Sequence, residues 1–261
     1  MSDQPLYLEK EGDLAWLVLN RVEKKNALTQ AMWEAIPDLV AEAAADPEIK
    51  VVIVHSACPT VFSAGADIKE FEAISKDPER REANRVAVRE AQRQLARLDK
   101  PTIAMIEGAC VGGGCGLALA CDIRFATPQA RFGITPVKLG LIYSVQDSKQ
   151  LVDLVGPAHA KSILFTGRLV GADEALRIGL VNELYEAGEI REHTAAFARM
   201  IADNSQWGVR GIKRIIRMIL DGVVDDTPET EELFRQSFAG VDHQEGVAAF
   251  LARRKPSFPY R

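Results

Sequence analysis

Two loop segments rich in small residues have the composition needed to bind a ligand through the backbone. Residues 62–69 (FSAGADIK) follow an apolar run and let a ligand approach closely, and residues 107–116 (EGACVGGGCG) contain three consecutive glycines. Consecutive glycines lose much conformational entropy on folding, so their presence requires a physical reason. A loop that presents unobstructed backbone N–H groups to a ligand at the start of a helix would provide that reason. The second segment matches neither GxGxxG nor GxxxxGK[ST], which disfavours dinucleotide and P-loop sites. Taken alone, each segment is also typical of a tight turn.

The sequence contains no motif typical of a metal site or of a hydrolase. There is no HExxH, no GxSxG and no acidic cluster, so neither a metal nor a hydrolase triad is predicted. The four cysteines form no CxxC pair, and the start of the chain lacks a basic and apolar leader pattern. We therefore expect a cytoplasmic protein with reduced thiols. Nucleic acid and membrane are not expected partners, because the formal charge is −5 and no apolar stretch is long enough to span a bilayer.

The elements that must position these loops follow from the hydrophobic pattern. Short apolar runs at Leu14–Leu19, Val51–Val54 and Thr102–Ile106 predict buried strands. Segments with helical spacing lie between them, which favours an α/β fold. After about residue 190 the strand-like runs disappear and four helical patterns follow. The sequence thus predicts an α/β core over residues 1–190 and a helical C-terminal region over residues 191–261.

The two loops, in this order, resemble those of the crotonase (enoyl-CoA hydratase/isomerase) superfamily. The resemblance covers nearly the whole chain and is carried by FSAGADIKEF, KPTIAMIEGACVGGGCGLALACDIRFA, ARFGITPVKLGL, ILFTGRLVGADEALRIGLVNEL and EGVAAFLARRKPSF. It implies a crotonase-like spiral of ββα units, with a C-terminal helical region that mediates trimerisation. It also implies an acyl-CoA substrate, no cofactor beyond the coenzyme A of that substrate, and self-association as a trimer or a dimer of trimers.

The resemblance assigns roles to positions in both loops. Ala66 and Gly113 match the residues whose backbone N–H groups hold the thioester oxygen as it becomes an enolate oxyanion. Gly113 fits this role physically, because a loop glycine allows close approach and a helix start favours negative charge. The positions that the resemblance places around the substrate or its coenzyme A are Lys24, Ala64, Asp67, Ile68, Gly112, Thr135, Phe250 and Arg253. Phe250 and Arg253 match positions that reach a neighbouring subunit's ligand.

The chain departs from the family pattern at the two catalytic glutamates of the hydratases. The matching positions are Gly116 and Pro136. Adding water to an enoyl double bond requires a base for the water and an acid for the α-carbon. Neither glycine nor proline supplies such a group, so the usual hydratase mechanism lacks both carboxylates.

Polar residues further along the chain are candidates to replace them. Tyr143 matches a tyrosine of methylmalonyl-CoA decarboxylases, whose reaction generates the enolate without a base, and Ser144 stands where dienoyl isomerases and dehalogenases have an aspartate. We therefore predict Tyr143 and Ser144 as catalytic residues, with Glu70 and Asp147 as the next candidates. A structural role is equally well supported for Tyr143, as a tyrosine at the edge of the core whose hydroxyl has a hydrogen-bond partner. The resemblance to the decarboxylases is partial, because a decarboxylase of this kind has a histidine at the position that matches Ala66.

The sequence as a whole predicts an enzyme that acts on an acyl-CoA thioester through an enolate stabilised by an oxyanion hole. The reaction is open among decarboxylation of a malonyl-type thioester, double-bond isomerisation and weak hydration. The alternative from another class is a family member that binds acyl-CoA without catalysis.

Overall fold

The three apolar runs form central strands of a mixed α/β structure. The computed structural model describes residues 3–260. Its strands, in chain order, are β1 (Leu6–Glu11), β2 (Leu14–Leu19), β3 (Val51–Ser56), β4 (Val61–Ser63), β5 (Thr102–Ile106), β6 (Ala109–Val111), β7 (Ile123–Ala126), β8 (Arg131–Gly133), β9 (Leu169–Gly171) and β10 (Glu183–Leu184). The predicted strands at residues 14–19, 51–54 and 102–106 are confirmed, and so is the α/β class.

The helices alternate with these strands and then continue alone to the end of the chain. They are α1 (Gln30–Ala45), α2 (Ile68–Lys76), α3 (Pro78–Arg97), α4 (Gly113–Leu119), α5 (Val145–Thr166), α6 (Ala172–Arg177), α7 (Ile190–Ala202), α8 (Gln206–Leu220), α9 (Pro228–Ala239) and α10 (Val241–Leu251). Helix α5 is interrupted at Gly156, whose backbone is not helical. Over residues 3–260, no helix is both long and apolar enough to cross a membrane.

The strands form two sheets. The six-stranded sheet has the order β1-β2-β3-β5-β7-β10 and is parallel except for the β1–β2 pair. The four-stranded sheet has the order β4-β6-β8-β9, in which only β8 and β9 are antiparallel. Every residue of β2, β3 and β5 is buried, as expected for parallel strands covered on both faces.

The predicted division at residue 190 coincides with the start of α7. This helix buries Ile190, Ala198 and Ala202 in a cluster with residues of the six-stranded sheet. Helix α7 therefore packs as part of the core, and the helices that follow it leave large apolar side chains exposed. They include Ile212, Ile216, Ile219, Phe234, Phe238 and Phe250. Such a surface suits the expected self-association, which stays a prediction.

The four-stranded sheet brings the two small-residue loops together. Strands β4 and β6 are parallel neighbours, so their carboxyl ends lie at the same edge. The loop at residues 64–67 leaves β4 there, and Gly112 connects β6 to α4. Crevices at the carboxyl ends of parallel strands are a common place for ligands.

Candidate active site

Two glycines allow the loops to touch through their backbones. Gly65 has φ +94° and Gly112 has φ +54°, a region that favours glycine. A Cβ at Gly65 would lie 3.0 Å from the Val111 carbonyl oxygen, and a Cβ at Gly112 would lie 3.6 Å from the Gly65 Cα. The two loops are therefore in van der Waals contact at these positions.

Two backbone N–H groups beside this contact, those of Ala66 and Gly113, have no hydrogen-bond partner among the described residues. Leu28 N–H donates to the Gly65 carbonyl at 2.7 Å, and Asp67 N–H donates to the Leu28 carbonyl at 3.0 Å. In such a parallel bridge Ala66, the residue between them, directs its own N–H to the other side. Within residues 3–260, neither the Ala66 nor the Gly113 N–H donates to another backbone or side-chain atom.

Ala66 and Gly113 line one cavity of about 180 Å³. Its other walls come from the α1, α2, α3 and α5 regions. The apolar lining consists of Leu28, Trp33, Phe71, Ile74 and Val88, and the polar lining consists of Asp67, Glu70, Asn84, Gln92, Tyr143 and Asp147. No lysine, arginine or histidine lies among these lining residues of the described chain. The cavity thus combines two bare N–H donors with acidic and neutral polar groups.

Asp147 reaches the cavity from the first turn of α5. Ser144 caps this helix: its hydroxyl accepts from the Asp147 N–H at 3.1 Å and donates to Asp147 Oδ2 at 2.5 Å. The other carboxylate oxygen, Oδ1, is buried and makes no hydrogen bond with any described residue. Burial raises the pKa of Asp147, while the Ser144 hydroxyl and the neighbouring Gln92 side chain oppose the rise. One oxygen of this carboxyl group is therefore anchored by Ser144, and the other is buried beside the Gln92 side chain.

Tyr143 lies beside Asp147 in the cavity wall. Burial raises the pKa of Tyr143 well above its ordinary value, and the negative charge of Asp147 raises it further. The phenol consequently keeps its proton and is a hydrogen-bond donor. It is a poor acid, because both influences disfavour the phenolate.

Comparisons with known proteins decide the family. The sequence pattern of the Enoyl-CoA hydratase/isomerase family matches residues 9–261. The chain belongs to this family. It is 35% identical over 259 residues to a crotonyl-CoA hydratase of Syntrophomonas wolfei, which covers 99% of both chains. It is also 35% identical to a short-chain-enoyl-CoA hydratase of Clostridium acetobutylicum over 95% of both chains.

Solved structures agree with the assignment. The crystal structure of an enoyl-CoA hydratase/isomerase family protein from Hyphomonas neptunium matches with a TM-score of 0.96 and 46% sequence identity, covering 99% of this chain and 98% of that one. The crotonase-like fold is therefore confirmed, and the chain is an enzyme of the crotonase family that acts on an acyl-CoA. The trimerisation role of the C-terminal helices stays a prediction.

In this enoyl-CoA hydratase/isomerase family member, the end of the Gln92 side chain occupies the space that a side chain at position 116 would enter first. A Cβ at Gly116 would clash with Gln92 Nε2 and would lie 3.6 Å from Asp147 Oδ1. Gln92 is 2% exposed and holds its place inside the core. Pro136 begins a short 3-10 turn, Pro136–Leu139, and does not line the cavity.

Glu70 lines the cavity, but its carboxylate is engaged. Its Oε2 accepts from the Gln30 N–H at 2.8 Å, at the first residue of α1. Asn84 donates to the Gln30 side-chain carbonyl at 2.7 Å. Glu70 therefore stabilises the start of α1, which makes it a weaker candidate for proton transfer than Asp147.

Ser144, predicted as catalytic, does not line the cavity. The structure makes it the cap of α5 and the hydrogen-bond partner of Asp147. Its place supports a role that acts through Asp147 rather than directly on a substrate.

The predicted coenzyme A positions fall into two groups. Ala64, Asp67 and Ile68 lie at the loop beside the cavity, and the Ala64 N–H donates to the carbonyl of Lys25, next to Lys24. Gly112 lies in the same loop contact. Thr135, Phe250 and Arg253 do not line the cavity within this chain. The predicted contacts of Phe250 and Arg253 with a neighbouring subunit's ligand stay predictions.

The Asp67 side chain is already used inside the chain. Its Oδ2 accepts from Arg21 Nη1 at 2.7 Å, and its Oδ1 accepts from the Lys69 and Glu70 N–H groups at the start of α2. The Arg21 hydrogen bond holds the pKa of Asp67 below its ordinary value.

Three further lining residues, Trp33, Asn84 and Gln92, belong to no motif in the sequence. Trp33 packs within 2.7 Å of the position that a Cβ at Gly113 would take. The signal for Gln92 is visible in hindsight: it is a polar residue inside the apolar helical stripe of α3, whose buried members are Ala91 and Leu95. A buried amide in such a stripe needs a polar neighbour.

Proposed function

We propose that this chain moves a proton to or from carbon atoms of the acyl chain near the thioester of a neutral enoyl-CoA. The reaction passes through an enolate, whose oxygen accepts hydrogen bonds from the N–H groups of Ala66 and Gly113. The observation that carries the proposal is that both unpaired N–H groups belong to residues that line the same cavity as the carboxyl-bearing residue Asp147. Donors that are fixed in advance stabilise charge that develops only in the transition state. A proton acceptor in the same cavity supplies the other requirement of enolate formation.

The charge of the cavity supports a neutral acyl group. Glu70 and Asp147 line it, and none of the described lining residues is basic. The free carboxylate of a malonyl-type thioester would meet three acidic lining residues, Asp67, Glu70 and Asp147, and no basic one, which disfavours the decarboxylase alternative. The relatives named crotonyl-CoA hydratase and short-chain-enoyl-CoA hydratase further support a short, neutral enoyl group.

The alternative of acyl-CoA binding without catalysis is less well supported. A buried carboxylate oxygen without a hydrogen bond is unfavourable for the folded state. A purely binding pocket gains nothing from a buried carboxyl group, whereas a proton-transfer site requires a proton acceptor.

Turnover on four thioesters tests the proposal: crotonyl-CoA, but-3-enoyl-CoA, malonyl-CoA and methylmalonyl-CoA. Binding of each is measured in parallel by calorimetry. We expect turnover of the neutral enoyl thioesters and none of the two dicarboxylic ones. Turnover of methylmalonyl-CoA alone would establish the decarboxylase alternative, and binding without turnover of any thioester would establish the binding protein.

A further inference from the structure

We infer that Asp147 is the catalytic proton-transfer residue, and that its carboxylate reaches from α5 into the volume that a side chain at position 116 of α4 would otherwise enter. The inference rests on the proposed function and adds the residue that moves the proton. The resemblance to the family does not assign this role, because the matching aspartate of other members stands at the position of Ser144.

The absence of a side chain at Gly116 leaves volume on α4 that side chains of other helices occupy. A Cβ at Gly116 would lie 3.6 Å from Asp147 Oδ1, well within the reach of a longer side chain at that position. The Gln92 amide fills the space directly above Gly116. The glycine therefore lets a carboxylate from another helix occupy the place next to α4.

The two carboxylate oxygens of Asp147 differ in their surroundings. Oδ2 is held by the Ser144 hydroxyl at 2.5 Å, which fixes the side chain. Oδ1 is buried and makes no hydrogen bond with any described residue. A buried acceptor without a close partner requires an explanation, and a substrate proton that reaches Oδ1 when the neighbouring Gln92 side chain shifts would provide one. Ser144 is then a positioning residue that aims Oδ1.

The groups that surround Asp147 are acidic or neutral. Tyr143 lies on its own segment, Glu70 lines the opposite wall on α2, and Cys115 on α4 contributes a buried thiol near Tyr143. Helix α3 contributes the neutral Gln92. None of the described residues that line the cavity is cationic, so burial dominates and raises the pKa of Asp147. A carboxylate with a raised pKa is a better base near neutral pH.

The reaction step balances without a co-reactant. With but-3-enoyl-CoA, Asp147 Oδ1 accepts a proton from the α-carbon, and the electron pair of that C–H bond delocalises onto the thioester oxygen. The Ala66 and Gly113 N–H groups stabilise this dienolate. The protonated Asp147 then returns the proton to the γ-carbon, the electrons form the α,β double bond, and the carboxylate is regenerated. A single carboxylate thus suffices for isomerisation, whereas hydration must also activate a water molecule.

The test compares Asp147→Asn with a matched control, Asp153→Asn, on the same helix. Asp153 pairs with Lys149 and does not line the cavity. The readouts are isomerisation of but-3-enoyl-CoA and exchange of the α-hydrogens of butanoyl-CoA in D₂O. We expect Asp147→Asn to lower kcat and exchange by about 10²–10⁴-fold with little change in the Kd of butanoyl-CoA. The control is expected to stay within about twofold of the unaltered protein, as surface substitutions usually do.

Ser144→Ala provides a second, independent measurement. Loss of its hydroxyl removes a hydrogen bond that lowers the pKa of Asp147, so the acid limb of the kcat profile is expected to move to higher pH. A purely structural Ser144 would change the melting temperature and leave that limb in place. Full isomerisation and exchange by Asp147→Asn would overturn the inference while leaving the proposed function intact. The absence of both activities in the unaltered protein would overturn the proposed function itself.

Discussion

Replacing Gly113 by proline is the most direct perturbation of the proposed oxyanion hole. Gly113 is the first residue of α4, a position where proline is compatible with a helix because its missing N–H has no helical partner. The substitution removes the unpaired N–H and places a ring carbon where the hydrogen was. Loss of one oxyanion donor reduces kcat by about 10²–10³-fold, or about 2.7–4 kcal/mol of transition-state stabilisation.

Gly113→Ala separates this effect from crowding. Either substitution adds a Cβ that would lie 2.7 Å from Trp33 Cζ2, so both variants must push the tryptophan aside. Overpacking of this kind destabilises by about 1–3 kcal/mol. Alanine retains the N–H, and the ratio of the two kcat values therefore reports the donor alone.

The assay measures kcat with crotonyl-CoA and but-3-enoyl-CoA, together with thermal unfolding of each variant. We expect the proline variant to be slower than the alanine variant by about 10²–10³-fold at temperatures where both are folded. If the proline variant is folded and its kcat lies within about threefold of the alanine variant, Gly113 does not supply the donor and the reasoning fails.

Three further predictions concern other parts of the chain. Tyr143→Phe is expected to slow turnover by no more than about tenfold, the effect of one lost hydrogen bond, and a loss above about 100-fold in steady-state kinetics would make Tyr143 the proton carrier. Asp67→Ala is expected to lower the free energy of unfolding at pH 7 by about 0.5–2 kcal/mol in urea titrations. Because the pKa of Asp67 is lowered in the folded state, this difference should begin to shrink as pH falls below the ordinary aspartate value and be lost as pH falls through the lowered folded-state pKa, and a constant difference would contradict the assignment. Light scattering at micromolar concentration should give a trimer or a multiple of it, and a monomer alone would refute the self-association prediction.

The strands and the two loops could be predicted because their signals are local. Leu14–Leu19 and Thr102–Ile106 are short apolar runs with polar or turn residues at their ends, and only a buried strand accommodates them easily. The small residues at 64–67 and the three glycines from Gly112 indicate close backbone approach. That these loops touch each other follows from the parallel pairing of β4 and β6, which the sequence does not show.

The acid and base groups could not be predicted in the same way. Gln92 and Asp147 lie on different helices, and their proximity arises only when α3, α4 and α5 pack together. In the sequence, Asp147 is an ordinary acidic residue near a helix start, where a favourable helix dipole explains it fully. Ser144 was chosen by its aligned position, whereas the structure makes it a helix cap. Burial distinguishes the two residues, and burial is a property of the assembled chain.

The contact between Gly65 and Gly112 limits which substitutions can alter the activity of this protein. Two loops that meet at bare backbones have no side chain whose size could be adjusted to tune the spacing of the N–H groups of Ala66 and Gly113. The spacing is set by the contact itself, and a misplacement of about 1 Å in a catalytic site can cost 10²-fold in rate. The charge-handling side chains, by contrast, come from separate helices and can be replaced one at a time. New reactions in this scaffold should therefore arise by relocating the carboxylate while the paired loops stay fixed.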